Sequence, residues 1–203
     1  MNRLPSSLLI LGLAALAGCA SYDTRLTSTA TKYLGQDGTI ISRSSQSTLA
    51  DKNSYWDGEG VSGAPSILIS LSEQTASFYK GAKLVGVSAI SSGREGRETP
   101  MGNYKILAKE PHHVSNLFGD YVDASGNVLV RNVDAKKDPK PPGATFAGSP
   151  MPFFMRLTNA GVGMHQGFLP GVPDSHGCIR MPERMVKVYY QNVSVGTPVK
   201  IVN

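Results

Sequence analysis

Apolar and polar residues begin to alternate in short, regular stretches only from residue 64 onward. From there, turn-forming residues interrupt the apolar stretches about every ten residues, which is typical of antiparallel strands. The segments with strand-like patterns are 66–71, 76–80, 83–90, 103–107, 119–123, 128–131, 151–157, 161–164 and 197–202. Pro and Glu open the segment 182–191, which carries an apolar stripe, and this predicts one short helix. The pattern therefore predicts a mostly β domain over residues 64–203.

Residues 1–18 have the pattern of a signal peptide. A polar start with Arg3 leads into the apolar run 8–16, which is too short to span a bilayer. The run leads into Leu-Ala-Gly before Cys19, which resembles a bacterial lipidation site; an ordinary signal peptide cut nearby is the alternative. Acyl chains on Cys19 would hold the protein on a membrane without a transmembrane helix. Because Ala20 follows the cysteine, we expect a periplasm-facing lipoprotein of the cell envelope, with the outer membrane favoured.

Residues 19–63 are rich in Ser, Thr, Gly and Asp and contain few apolar clusters, which predicts a flexible tether with a short strand at 39–41. The formal charge of the chain is +5, which suits a protein near an anionic envelope. The sequence has no basic block with interleaved aromatic residues, so we expect no nucleic-acid partner.

The middle of the predicted domain leaves some interpretations open. The Gly-rich loop 93–102 lacks the Gly-Lys-Ser/Thr ending of a P-loop, so we do not expect it to bind phosphate. The fifth and sixth predicted strands would pair through a short turn. The Lys- and Pro-rich loop 135–143 is either a solvated surface loop or a lid over the site. His112 and His113 are expected to point apart and to lie at the surface rather than bind a metal.

Residues whose side chains could act in catalysis are concentrated in the segment 164–180. It contains two of the four histidines, His165 and His176, and the only cysteine other than Cys19, which is Cys178. If Cys19 carries lipid, Cys178 has no partner for a disulfide in an oxidising compartment. This indicates a working thiol rather than a structural cysteine.

Two chemistries fit these residues. Cys178 lies before the predicted helix, with Arg180 two residues on, and we expect such surroundings to lower the thiol pKa. A nearby histidine could then activate the thiol, while Gly177 leaves room for a substrate and backbone N–H groups form an oxyanion hole. The alternative is a zinc site of His165, His176 and Cys178 with water as the fourth ligand. No Glu stands where a metallohydrolase base usually would, so the residues favour thiol catalysis over zinc.

The motif Ser-His-Gly-Cys-Ile-Arg at 175–180, with His165 upstream, resembles the signature of the L,D-transpeptidase catalytic domain (YkuD) family. The resemblance covers residues 64–203. Further segments that match the pattern are 71–74, 99–104 and 163–165. The spacer between His165 and Ser175 is shorter than in many members, and Arg180 stands where the pattern often has Asn.

The resemblance implies a compact β-sandwich or mixed sheet with a short helix after the catalytic cysteine. It implies an enzyme in which Cys178 forms a thioester with a peptidoglycan stem-peptide donor and transfers it to an amine. His165 would be the general acid/base, oriented through a carbonyl at or near Gln166. The residues implied to line the oxyanion and substrate side are Ser175, His176, Gly177 and Arg180, the last binding a substrate carboxylate. No metal or organic cofactor is required.

Two other functions stay open on the same residues. Water could intercept the thioester, which would make the protein an L,D-carboxypeptidase or amidase. A non-catalytic lipoprotein that binds the wall is the third hypothesis. In each of the three, the expected partners are peptidoglycan stem peptides and, through Cys19, a membrane.

Overall fold

The computed structural model describes residues 32–34, 40–42, 51 and 53–203. The first two ranges are short strands, β1 (Lys32–Leu34) and β2 (Ile40–Ser42), which pair antiparallel. β2 overlaps the strand predicted at 39–41. The predicted signal peptide 1–18 and the predicted lipidation of Cys19 lie outside the described residues.

The described chain from residue 53 onward forms two β-sheets and one helix. Its elements are β3 (Tyr55–Trp56), β4 (Pro65–Ser70), β5 (Thr75–Lys80), β6 (Lys83–Ala89), β7 (Gly102–Lys105), β8 (Ala108–Val122), β9 (Val128–Asp134), β10 (Thr145–Arg156), β11 (Gly163–Gln166), β12 (Ile179–Met181), α1 (Glu183–Asn192) and β13 (Pro198–Val202). One sheet has the order β3-β6-β5-β4-β13-β7, and the other has the order β12-β11-β10-β8-β9. The predicted mostly β fold with one short helix is confirmed. In the described part of the chain, no helix has the length and apolarity needed to cross a bilayer.

One apolar core joins both sheets and the helix. On the six-stranded sheet, Ile69 and Phe78 are fully buried, as the alternating pattern of β4 and β5 predicts. Tyr189 of α1 packs edge-on against Phe78 and donates its hydroxyl hydrogen to the Ala76 carbonyl oxygen at 2.6 Å. Met164 of the five-stranded sheet belongs to the same cluster. Each such buried side chain contributes about 1.5–3 kcal/mol, so the core holds the two sheets in fixed relation.

The folded domain begins upstream of residue 64. The sequence assigns residues 53–63 to the tether, whereas β3 forms the edge of the six-stranded sheet by pairing antiparallel with β6. The Trp56 ring lies edge-on to Phe78 at 5.1 Å between ring centroids and contacts Tyr189 at 6.2 Å. A two-residue strand has too few positions to show a period, so the alternation pattern did not reveal it.

The hairpin of β8 and β9, here called the arm (Ala108–Asp134), extends the five-stranded sheet. The predicted pairing of its two strands is confirmed, with Tyr121 opposite Val130 and Val122 opposite Val128. A second, smaller core supports the arm. It contains Tyr121, Val133 and Ala144, with Phe146 packed against them. The arm is therefore a packed β structure.

Trp56→Ala should lower the free energy of unfolding by roughly 2–3 kcal/mol, because it removes a partly buried indole from the Phe78 and Tyr189 rings. Urea denaturation of the purified protein measures this. Tyr55→Ala is the matched control, because Tyr55 is on the same strand but 40% exposed, and it should change stability by less than about 1 kcal/mol. Equal losses for the two variants would contradict the packing role of Trp56.

Candidate active site

The parallel pairing of β11 with β12 places the predicted base, His165, on the strand next to the one that begins directly after the predicted nucleophile, Cys178. Met164 pairs with Ile179, and His165 pairs with Arg180. Met164 and Ile179 are fully buried in the core. Because neighbouring residues on a strand alternate between faces, His165 and Arg180 lie on the opposite face. Cys178 directly precedes β12, and its thiol contacts the turn that precedes β11.

His165 is bonded in a way that leaves one ring nitrogen available. Its Nδ1 lies 2.7 Å from the Gln166 carbonyl oxygen. A carbonyl can only accept, so Nδ1 carries the hydrogen and the neutral ring has its lone pair on Nε2. The pKa of His165 is lowered to about 4, mainly by burial and in part by the charges of Arg180 and His113, against the opposing effect of the Gln166 bond. The imidazole is therefore neutral at pH 7 and can accept a proton at Nε2.

The Cys178 thiol is half-buried and donates to the Gly161 carbonyl oxygen at 3.6 Å. Burial raises the pKa of this thiol, and the opposing effects of the Gly163 N–H group, Arg180 and Arg156 are smaller. The expected lowering of the Cys178 pKa is therefore wrong in direction. Both shifts favour the neutral forms, a protonated Cys178 thiol and an uncharged His165 imidazole.

The helix and Arg180 do not overcome this burial. Helix α1 begins at Glu183, five residues after Cys178, and the effect of a helix terminus falls off within its first turn. Arg180 is committed to Asp174, whose Oδ2 accepts from Nη1 at 2.8 Å and whose carbonyl oxygen accepts from Nη2 at 3.1 Å. A role for Arg180 in binding a substrate carboxylate stays a prediction.

The cysteine turn (residues 174–178) is shaped by its own hydrogen bonds. The Ser175 hydroxyl donates to the Cys178 carbonyl oxygen and accepts from the Gly177 N–H group at 3.1 Å. Gly177 has a φ of +111°, which L side chains rarely adopt. The sequence places Ser175 and Gly177 among the substrate-lining residues; in the structure Ser175 is 2% exposed and its hydroxyl is engaged within the turn.

A support loop (residues 91–101) lies behind the cysteine turn. Ser91 exchanges two backbone hydrogen bonds with Arg180, and the Ser92 carbonyl oxygen accepts from the Ser175 N–H group. The Thr99 hydroxyl donates to the Gly177 carbonyl oxygen at 2.9 Å. This loop was predicted only as a Gly-rich loop that binds no phosphate. The match of residues 99–104 to the family pattern was the one sequence signal of its role.

His176 joins the cysteine turn to the arm. Its Nε2 accepts from the Arg94 guanidinium at 3.1 Å, and its ring stacks on Phe118 at 4.3 Å between centroids. The Arg97 guanidinium lies over the Phe118 ring and pairs with Asp134 at 3.0 Å. Burial and the nearby arginines lower the pKa of His176 to about 4. The arm thus contacts the site through Phe118; the choice between a surface loop and a lid for 135–143 stays open.

These contacts bear on the zinc alternative as well. The Nε2 atom of His176 faces a cation, which disfavours a metal ligand at that atom. Across residues 51 and 53–203, no three or more His, Cys, Asp or Glu side chains are grouped so that they could hold a metal ion.

A second cluster lies beside the site on β8 and β10. His113 stacks on Phe154 at 4.3 Å between centroids, and its Nδ1 lies 2.6 Å from a Glu110 carboxylate oxygen. The other Glu110 oxygen accepts from Arg156 at 3.4 Å. The expectation of surface residues holds for His112, which is exposed, but is wrong for His113. Sequence reasoning also missed Arg156, because the partners that bring it to the site are distant in the chain.

The raised pKa of Cys178 should appear in its alkylation by iodoacetamide. Because its pKa is raised, Cys178 has a smaller thiolate fraction than an ordinary thiol at the same pH. The alkylation rate should therefore reach half its maximum above about pH 8.5, the pKa of an ordinary cysteine. The rate is measured against pH by mass spectrometry, with N-acetylcysteine in parallel. A midpoint below that of N-acetylcysteine would show that the charges outweigh burial.

Phe118→Ala should raise the pKa of His176 by about one unit or more, because it uncovers a ring whose burial is the largest cause of the low pKa. An NMR titration of the histidine ring measures the shift. Phe118→Tyr keeps the stack and should leave the pKa near 4. Leu129→Ala, at an exposed position of the same arm, is the control. An unchanged His176 pKa in Phe118→Ala would show that burial under the Phe118 ring is not the cause of the low pKa.

Comparisons with known proteins show which fold this chain shares. Several solved L,D-transpeptidases share the fold: one from Mycobacterium smegmatis (22% identity, TM-score 0.53), and L,D-transpeptidase 1 (22%, 0.51) and L,D-transpeptidase 3 (22%, 0.52) from Mycobacterium tuberculosis. Each match covers 69% of this chain and, in that order, 59%, 62% and 61% of the solved chain. The chain therefore spans about three fifths of their length.

No curated protein sequence matches the chain at a significant level. The family model of the L,D-transpeptidase catalytic domain (YkuD) matches residues 64–201, which is more than half of the chain and includes both His165 and the cysteine turn. This chain therefore belongs to the L,D-transpeptidase catalytic domain family.

Proposed function

We propose that this protein is a cysteine-dependent peptidoglycan L,D-transpeptidase that cross-links or remodels the cell wall. The observation that carries the proposal is the state of the His165 ring. Its Nδ1 is committed to the Gln166 carbonyl oxygen, which leaves Nε2 as a proton acceptor, and β11 pairs with the strand that begins directly after Cys178. A neutral base next to a protonated thiol is the arrangement that nucleophilic catalysis by cysteine needs when the thiol pKa is not lowered.

In the acylation step, His165 Nε2 takes the thiol proton while the Cys178 sulfur attacks the carbonyl carbon of the third stem residue. The carbonyl becomes an oxyanion held at the cysteine turn. Its collapse forms the thioester and breaks the C–N bond to the terminal D-Ala. The leaving amine takes the proton from His165, so the imidazole is neutral again.

In the transfer step, an amine from a neighbouring stem attacks the thioester carbonyl and His165 takes a proton from it. The C–S bond breaks, the new amide forms, and the sulfur recovers its proton from the imidazolium. Because the thiol is protonated at rest, the strong nucleophile exists only while a donor carbonyl is in place. Apart from the donor and the acceptor amine, no group from outside the chain is needed to balance the protons and electrons of these steps.

We also propose that the predicted lipid on Cys19 anchors the protein, with the outer membrane favoured. The catalytic domain would then face the periplasm and the wall. The sequence pattern before Cys19 supports this proposed anchor.

Incubation of the purified protein with sacculi should produce new cross-linked muropeptides, detected by mass spectrometry. Cys178→Ala should remove the activity, and His165→Gln should lower it about 10²–10⁴-fold, since it removes the acid/base. Arg131→Gln, at an exposed position of the arm, is the control and should retain full activity. Trimmed stems without new cross-links would indicate hydrolysis instead. Unchanged muropeptides, or an active Cys178→Ala variant, would refute the proposal.

A further inference from the structure

Arg156, the last residue of β10, lies close to Gly161, the residue that the Cys178 thiol contacts. Its Nη1 atom is 3.9 Å from the place where a Cβ on Gly161 would stand. The Cys178 thiol donates to the carbonyl oxygen of the same Gly161. The positive charge of Arg156 also acts to lower the thiol pKa. These contacts, made with the turn between β10 and β11, place a cation at the edge of the reaction site.

Most of the hydrogen-bond donors on this guanidinium are unused. An arginine side chain has five N–H donors. Among residues 51 and 53–203, the guanidinium has one hydrogen-bond acceptor, a Glu110 oxygen at the long distance of 3.4 Å from Nη2. The side chain remains 27% exposed, so an incoming group can reach it. The donors near Gly161 are thus available to a ligand.

The group is nonetheless held in place before any ligand arrives. Its guanidinium lies over the Phe154 ring at 5.3 Å, and Phe154 is stacked on His113. Glu110 bonds to both His113 and Arg156. A cation fixed by an aromatic ring and a single weak ion pair loses little freedom on binding, which favours recognition of an anion.

The other cation at the site is less suited to this task. Arg180 bonds to Asp174 through both of its terminal nitrogen atoms, at 2.8 and 3.1 Å. To bind a substrate carboxylate, Arg180 would have to give up a charge-assisted hydrogen bond. Of the two arginines that act on the Cys178 pKa, Arg156 therefore has the donors to offer.

We propose that Arg156 binds a carboxylate of the acyl donor and makes the site selective for a carboxylate over an amide at that position. This rests on the proposed function and names the donor chemistry that the site recognises. The carboxylate belongs either to the terminal D-Ala or to the side chain of the third stem residue. Planar guanidinium and carboxylate groups match in geometry, whereas an amide offers no charge and only one acceptor oxygen.

The test compares three synthetic tetrapeptide donors: one with free carboxylates, one with a C-terminal amide, and one with the third side-chain carboxyl amidated. The acylation rate constant of Cys178 and the donor concentration for half-saturation are measured by mass spectrometry. The wild type should acylate at least tenfold less efficiently with one of the two amides, and that amide identifies the carboxylate. In Arg156→Gln, the acylation efficiency with the free-acid donor should fall, through weaker binding, to the value for the amide that the wild type acylates poorly. The efficiency with that amide should not change.

Arg156→Lys should retain part of the selectivity, because it keeps the charge without the planar fork. Arg131→Gln makes the same charge change at an exposed position and should leave all three efficiencies as in the wild type. If Arg156→Gln lowered the acylation efficiency equally with all donors, Arg156 would act on the Cys178 thiol rather than on a donor carboxylate. That result would overturn the proposal. A wild type that does not discriminate between donors overturns it without any variant. A wild type that acylates none of them refutes the proposed function itself.

Discussion

The active site depends on the parallel pairing of β11 with β12. Met164, Ile179 and Met181 are fully buried on one face of this pair, and His165 and Arg180 lie on the other. A slip of one residue would turn the apolar side chains to the site and the histidine into the core. The hydrophobic burial that stabilises the sheet therefore also fixes which side chains meet the substrate.

The same burial determines the protonation of the reacting groups. It lowers the pKa of His165 to about 4 and raises the pKa of Cys178, and both shifts favour the neutral forms. The charge of Arg180 favours a thiolate at Cys178 but disfavours an imidazolium at His165, so it does not stabilise an ion pair of the two. In the proposed mechanism, attack by the sulfur and transfer of its proton to His165 would therefore occur together.

The sequence predicted what depends on local order. Alternation revealed the hairpin of β4 and β5, and the apolar stripe of α1 marked the helix. The motif at 175–180, with His165 upstream, predicted the catalytic thiol and its histidine. What it missed depends on distant contacts. Trp56 joins the sheet through a strand too short to show a period, and the thiol pKa follows from burial that only the folded chain creates.

Contacts within the cysteine turn and the support loop differ in kind from the contacts that β10 and the arm make with the site. The cysteine turn and the support loop hold the reacting atoms, and their bonds use backbone groups and small hydroxyls, as in the Thr99–Gly177 contact. Arg156 and Phe118 reach the site from β10 and the arm, and their contacts are made by charge and aromatic rings. Side chains of the second kind can change without moving the sulfur or the imidazole. The proposed selectivity among donors would then depend on residues outside the motif, and the proposed reaction on the motif itself.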